Sequence, residues 1–274
     1  MKLNIAGQIF DHPIVMGILN CTPDSFSDGG RYLAEDKAVE HARQMLSDGA
    51  SIIDIGGEST RPGAEIISVE EELRRTIAPI RSIKEEFNCL ISIDTRHNEV
   101  MSQAVEAGAD IINDVNALNE PGALEAAACS QAAVCLMHMQ GDPKTMQDKP
   151  HYSDIVAEVL HYLGGRVDAV VNAGVPKQKI ILDPGFGFGK TLEHNYQLLH
   201  HLEQFHQLDC PLLIGLSRKS MFGQLLDRPV EQRLAASLAG ACFAAMKGAA
   251  ILRVHDVRET VDALRVISKT MVTE

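Results

Sequence analysis

No run of eighteen consecutive apolar residues occurs in this 274-residue chain, so nothing in it reads as a membrane-spanning helix. The opening residues 1–13 lack the apolar core and the small-residue cleavage site of a secretory signal, which points to the cytosol. No CxxC pair is present. The six cysteines (Cys21, Cys89, Cys129, Cys135, Cys210 and Cys242) are scattered, most of them among apolar neighbours. That spacing argues against a disulfide framework or a structural zinc site and leaves small buried hydrophobes as the expectation. Positive charge is scarce. Lys and Arg number 25 against 37 Asp and Glu, for a net charge of −12. Nucleic acid is therefore a poor partner, and an anionic substrate would have to meet cations gathered locally.

What is present has the balance of a globular protein, with 45% apolar and 23% charged residues. One junction recurs: DGASIIDIGG from Asp48, AGADIINDVN from Ala107 and KGAAILRVHD from Lys247, with a looser copy, NAGVPKQKIILDPG, from Asn172. Each reads as a helix closed by a left-handed glycine, followed by a strand apolar on both faces, as in a parallel sheet. Eight such runs fall at about 14–19, 51–55, 90–93, 110–112, 133–137, 180–182, 212–216 and 250–254. Helical patterns lie between them. Ser68 to Phe87 keeps Val69, Leu73, Ile77, Ile80 and Ile83 on one face, with Ser68 and Glu71 as a capping box and Pro79 placed to kink it. An alanine-rich helix is expected over Val230 to Met246. Eight strands alternating with helices at this length predict one (β/α)₈ barrel domain spanning residues 1–274, a TIM barrel, with a doubly wound sheet as the alternative. The first twelve residues read as a small hairpin closing the barrel's bottom.

Chemistry in this fold class sits at the C-terminal strand ends. Here those ends carry Asn20, Gly56-Gly57-Glu58, Asp94, Asn113, His138, Asp183, Ser217 and Arg253-Val254-His255. One polar residue in such a place signifies little; nearly every strand ending in one does. Asp94, Asn113, Asp183 and Lys219 form a donor–acceptor set suited to a flat polar heterocycle, with Met137 and Phe188 placed to stack on it. Arg61, Arg253 and His255 form a positive set suited to phosphate or diphosphate. The loops at 20–30 and 56–63 are long and rich in Gly, Ser, Thr and Pro, as expected of segments that close over a substrate. The stretch ILDPGFGFGKT ends like a phosphate loop, but the required first glycine is replaced by Pro184, and Gly185, Gly187 and Gly189 miss the dinucleotide spacing. These glycines are read instead as a tight turn carrying Phe188 to the pocket.

Taken in order, MGILNCTPDSFSDGG, IIDIGGESTRPGA, SIDT, IIND, CLMHMQGDPKTMQ, LDPGFGFGK, GLSRKS and RVHDV resemble the motifs of the dihydropteroate synthase family, in its bacterial single-function form, from about Val15 to Val261. The resemblance implies a TIM barrel, usually a homodimer, that joins a pterin diphosphate to para-aminobenzoate with Mg2+. It implies pterin contacts from Asp94, Asn113, Asp183, Lys219, Met137, Phe188 and Gly215, and diphosphate contacts from Asn20, Thr60, Arg61, Arg253 and His255. Asn20 matches the metal position. Phe26, Thr60, Pro62 and Ser220 match the aminobenzoate pocket, where sulfonamides would compete. Asp94, Lys219, Arg61 and Thr60 are the residues expected to carry catalysis, with no covalent protein nucleophile. Arg96 and His97, Asn116 and Cys21 are small departures from the pattern. A pterin-dependent methyltransferase would need no diphosphate clamp, and a non-catalytic paralogue would have lost Asn20 or Thr60-Arg61.

Overall fold

The computed structural model describes residues 3–21, 31–58, 67–141, 146–147 and 149–271. Eight parallel strands carry the architecture: β3 (Ile14–Asn20), β4 (Ile52–Gly56), β5 (Leu90–Asp94), β6 (Ile111–Asp114), β7 (Ala133–Met137), β8 (Ile180–Asp183), β9 (Leu213–Ile214) and β10 (Ile251–Val254). From β3 to β8 each strand pairs with the next, and β10 pairs with both β9 and β3. A bridge between Leu182 and Leu212 joins β8 to β9 and closes the ring. Sequential order with closure makes a TIM barrel and excludes the doubly wound sheet. The expected strand at 133–137 is met without change, the others differ at their ends by a residue or two, and β9 keeps only Leu213–Ile214 of the run at 212–216.

Side chains alternate across each strand. Ile53, Ile55, Ile91 and Ile93 face outward into the main core beneath the helices. Ile14, Met16, Ile52, Leu90, Ile111, Ile181, Leu213 and Ile251 meet inside the barrel's lower half. Leu3 and Ile5 join that inner cluster from a hairpin of β1 (Leu3–Ile5) and β2 (Gln8–Phe10), so the hairpin plugs the base as its sequence suggests. Its two-residue turn puts Ala6 and Gly7 at positive φ (49° and 84°), the conformation that matches the strands' twist.

The helices are α1 (Arg31–Ser47), α2 (Val69–Phe87), α3 (Asn98–Glu106), α4 (Ala123–Cys129), α5 (Ile155–Asn172), α6 (Leu192–His200), α7 (Ser220–Leu226), α8 (Leu234–Met246) and α9 (Val257–Met271). In α2 only half of the expected capping box forms. Ser68 accepts the Glu71 N–H at 3.3 Å, but the Glu71 carboxylate turns to Arg74 and Arg75 instead. The helix continues through buried Pro79 as one element. The alanine-rich helix begins later than its pattern implies, because Val230–Gln232 winds as a tighter 3₁₀ turn after Pro229 and α8 starts at Leu234. All six cysteines are free, but only Cys21, Cys135 and Cys210 are fully buried and Cys129 is exposed. Among the described residues no helix is long and apolar enough to cross a membrane.

Candidate active site

The barrel register levels the strand ends. Asn20 pairs with Gly56, Gly56 with Asp94, Asp94 with Asn113, and Met137 with Asp183. Asp94, Asn113 and Asp183 are nearly buried at this rim. One layer lower lies Asp54, fully buried in the middle of β4. Its Oδ2 accepts from Arg253 Nε at 2.6 Å, and its Oδ1 accepts from Asn113 Nδ2 at 3.4 Å. Arg253 Nη2 donates in turn to Asp94 Oδ2 at 2.6 Å. Four strands are thus tied by one hydrogen-bonded chain across the mouth.

That chain alters one expectation. Arg253 stands in the sequence reading with the anion-binding group, apart from Asp94. The structure pairs the two directly, so the heterocycle set and the cation set merge at this point. Burial opposes the charge on Arg253, but Asp54 and Asp94 outweigh it and raise its pKa above the ordinary value. Burial pushes the Asp94 carboxyl up, and Arg253 opposes the shift. Asp183 is raised by the same desolvation, against the Gly185 N–H that donates to its Oδ1 at 2.8 Å and the charge of Lys219. Lys219 itself is drawn down to about 8, chiefly by burial, with Asp183 opposing. These mutual influences make Asp94, Asp183, Lys219 and Arg253 one electrostatically coupled cluster at the C-terminal strand ends.

Phe188 and Met137 sit side by side with Val115 and Met146, and the Lys219 ammonium lies 4.1 Å from the Phe188 ring centre. A cation therefore covers one face of the ring expected to stack. Gly215 follows β9, where an added Cβ would lie 4.0 Å from Arg253 Cβ. His255 turns to the end of β9: its backbone N–H donates to Ser217 Oγ at 3.2 Å, and its Nδ1 lies 3.0 Å from the same oxygen. Ser220 is exposed at the start of α7. Phe26, Thr60, Arg61 and Pro62 lie outside the described residues.

The departures Arg96 and His97 both find acidic partners. Arg96 Nε reaches Glu58 at 3.4 Å, and His97 Nδ1 lies 2.6 Å from the buried carboxylate of Glu72. Both pairs brace the ground beside the β4 end.

The glycine-rich stretch is a turn built on a buried lysine. Gly185, Gly187 and Gly189 all take positive φ (73°, 79° and 62°). Lys190 Nζ, 3% exposed, contacts Gly185 O at 2.8 Å, Phe188 O at 3.0 Å, His138 O at 3.2 Å and His138 Nδ1 at 2.9 Å. An ammonium so enclosed has no face left for a phosphate, which removes the phosphate-loop reading on geometry as well as spacing. Thr191 instead caps α6, in a capping box completed by His194.

Sequence reasoning missed Asp54 and Lys190. The signal for Asp54 was an acidic residue inside Ile-Ile-Asp-Ile-Gly, since a carboxylate in a strand buried on both faces requires a buried partner. No comparable signal marked Lys190, whose acceptors include an atom 52 residues away.

Metal capacity is sparse. Among the described residues no three His, Cys, Asp or Glu side chains gather to hold an ion. Asn20 Oδ1 and Asp94 Oδ2 flank Gly56, at 3.9 and 3.8 Å from where a Cβ on that glycine would lie. Asp94 Oδ2 already accepts from Arg253, so Asn20 Oδ1 is the oxygen here suited to a hard dication that keeps waters and takes further oxygens from a phosphorylated substrate. A tightly held resident metal would need more.

Residues 16–255 match the family model described as pterin binding enzyme. The chain is 56% identical to the dihydropteroate synthase of Escherichia coli (strain K12), over 99% of this chain and 97% of that one. It superposes on the crystal structure of the Yersinia pestis dihydropteroate synthase with a sulfonamide drug complex at a TM-score of 0.94, with 51% identity and full coverage of both chains. The Xanthomonas albilineans dihydropteroate synthase with 4-aminobenzoic acid matches at a TM-score of 0.93 and 49% identity, covering 100% of this chain and 99% of that one.

Proposed function

The chain belongs to the pterin-binding enzymes, and within them to the dihydropteroate synthases, and from that premise we infer how its barrel mouth works. The reaction is the condensation of 6-hydroxymethyl-7,8-dihydropterin diphosphate with para-aminobenzoate, giving 7,8-dihydropteroate and diphosphate.

The observation that carries the residue assignment is the bonded chain Asn113–Asp54–Arg253–Asp94, with Asp183 and Lys219 electrostatically coupled to it. Asp94, Asn113 and Asp183 present oxygens to a ring edge rich in N–H groups, and Lys219 supplies the opposing donor. Met137 and Phe188 take a ring face, and Gly215 leaves space beside Arg253. Arg253 and His255, with Thr60 and Arg61, draw the leaving diphosphate toward the positive side of the mouth. Asn20 would hold Mg2+, which when bound neutralises charge on the diphosphate.

The bond from the methylene carbon to the diphosphate oxygen breaks. The electron pair leaves with that oxygen, and the positive charge left behind spreads into the pterin. Asp94 beside the ring stabilises that charge. The neutral aniline nitrogen, oriented by Phe26, Pro62, Thr60 and Ser220, then attacks and gives up its proton. No protein nucleophile is required. Sulfonamides would compete for the aniline position. The cytosol and a homodimer are the compartment and assembly this reading carries.

Diphosphate release tests it. Release is expected only when pterin diphosphate, para-aminobenzoate and Mg2+ are all supplied, with dihydropteroate formed in equal amount. Equal release without para-aminobenzoate would mark a hydrolase, and release undiminished by chelation would remove the metal from Asn20.

A further inference from the structure

Asp54 stands one layer beneath the groups assigned to the pterin, sealed from solvent. Its hydrogen-bond partners are Asn113 and Arg253, both assigned to the substrate. An amide's oxygen and nitrogen are nearly equal in shape, so the end that faces a ligand is set by the partner behind it. Behind Asn113 that partner is the Asp54 carboxylate, paired with Arg253 at 2.6 Å and so able only to accept. The Asn113 NH₂ is held downward, and its carbonyl oxygen is left for the mouth. The same chain continues through Arg253, which occupies Asp94 Oδ2 and leaves Oδ1 for the ligand. Across the hollow, the Gly185 N–H occupies Asp183 Oδ1 and leaves Oδ2. The rim thereby offers three acceptors, facing the single donor of Lys219. A heterocycle whose edge carries an exocyclic amine and a ring N–H meets this pattern; one with a carbonyl in place of the amine opposes it.

We propose that Asp54 is a positioning residue that fixes the hydrogen-bond polarity of the pterin floor and so sets the preference for a 2-amino over a 2-oxo pteridine. The proposal rests on the pterin-binding reading above. Asp54→Asn keeps the size of the side chain but can turn either end toward Asn113. Asn113 is then free to rotate and present its NH₂ upward.

The test is calorimetric binding of 7,8-dihydropterin and of the 2-oxo analogue, dihydrolumazine, to wild type and Asp54→Asn, with melting temperatures measured alongside. Wild type is expected to prefer the pterin by roughly a hundredfold or more, because the analogue sets oxygen against oxygen in a buried site. In Asp54→Asn the pterin should weaken by about tenfold or more while the analogue holds or gains, so that the preference narrows. The double variant Asp54→Asn with Asn113→Asp restores an acceptor-only group to the rim and should regain much of the preference. A purely structural Asp54 would lower the melting temperature and weaken both ligands alike, with the ratio intact; that result overturns the proposal. So does a wild type that binds both ligands equally, a measurement that stands even if the variants fail to fold. Wild type that binds neither pteridine would overturn the proposed function, and this inference with it.

Discussion

Replacing Lys190 with methionine isolates the cost of burying an amine. Methionine is of similar length and donates nothing, so Phe188 O and His138 O lose the lysine as donor, while Gly185 O keeps only the Phe188 N–H at 3.2 Å. Each buried acceptor left unpaired costs about 1–3 kcal/mol. Against that stands the burden the lysine imposes. Burial drags its pKa from 10.5 to about 7, with Asp183 opposing. The sign follows from proton counting. Below pH 7 the lysine is charged in both folded and unfolded chains, and the full burden is present. Between pH 7 and 10.5 the unfolded chain binds the proton and the folded chain does not, so stability due to this group rises with pH. The slope approaches ~1.4 kcal/mol per pH unit. Lys190→Met should therefore lie nearest to wild type at pH 7 and fall behind it by a further ~2–3 kcal/mol at pH 9. Urea unfolding of both proteins at the two pH values gives the difference, since titrating groups not coupled to Lys190 cancel. A stability gap that does not change with pH would refute the reasoning, and would mean that the amine is charged in the folded state throughout.

Lys219 is pulled down to about 8 by burial, and in the proposed role of donor to the pterin it acts through its charged form. We expect kcat/KM to fall as pH rises through that value, and Lys219→Arg to remove the alkaline limb; an unchanged limb would assign it elsewhere. Gly185→Ala would set a Cβ 1.8 Å from the His138 carbonyl oxygen at a φ of 73°, and a loss of ~3 kcal/mol or more is expected in melting or soluble yield. An unaltered melting temperature would show that the turn relaxes freely. Ile5→Ala removes a side chain that is 1% exposed in the barrel base, and should cost ~2–4 kcal/mol of stability while leaving both KM values unchanged. A shifted KM would mean that the plug communicates with the mouth.

The barrel was legible because its parts announce themselves locally. Gly49, Gly108 and Gly248 do take the left-handed conformation after their helices (φ 99°, 115° and 90°), and each is followed by the apolar strand the pattern implies. The rim was legible for a related reason: Asn20, Asp94 and Asp183 end strands and Asn113 stands next to last in its own, where an unexplained polar residue stands out. Asp54 did not stand out, because the eye placed on strand ends passes over a strand's middle, and the partner that explains it lies 199 residues away. The direct pairing of Arg253 with Asp94 was hidden likewise, since sequence order says nothing of the reach of a guanidinium across a barrel. At Ser68 the two halves of a capping box were both present in the sequence, yet Glu71 found stronger partners one turn on. Local motifs hold where nothing nearby competes for the same atoms.

The hairpin beneath the barrel separates the molecule's two tasks. With Leu3 and Ile5 seated like a cork, the barrel's base is closed by apolar side chains, and the mouth rimmed by the proposed site residues is the doorway at the opposite pole. The Ala6–Gly7 bend is consequently a natural graft point: an epitope or surface-immobilising loop spliced there would project from the sealed pole and leave the doorway facing bulk solution.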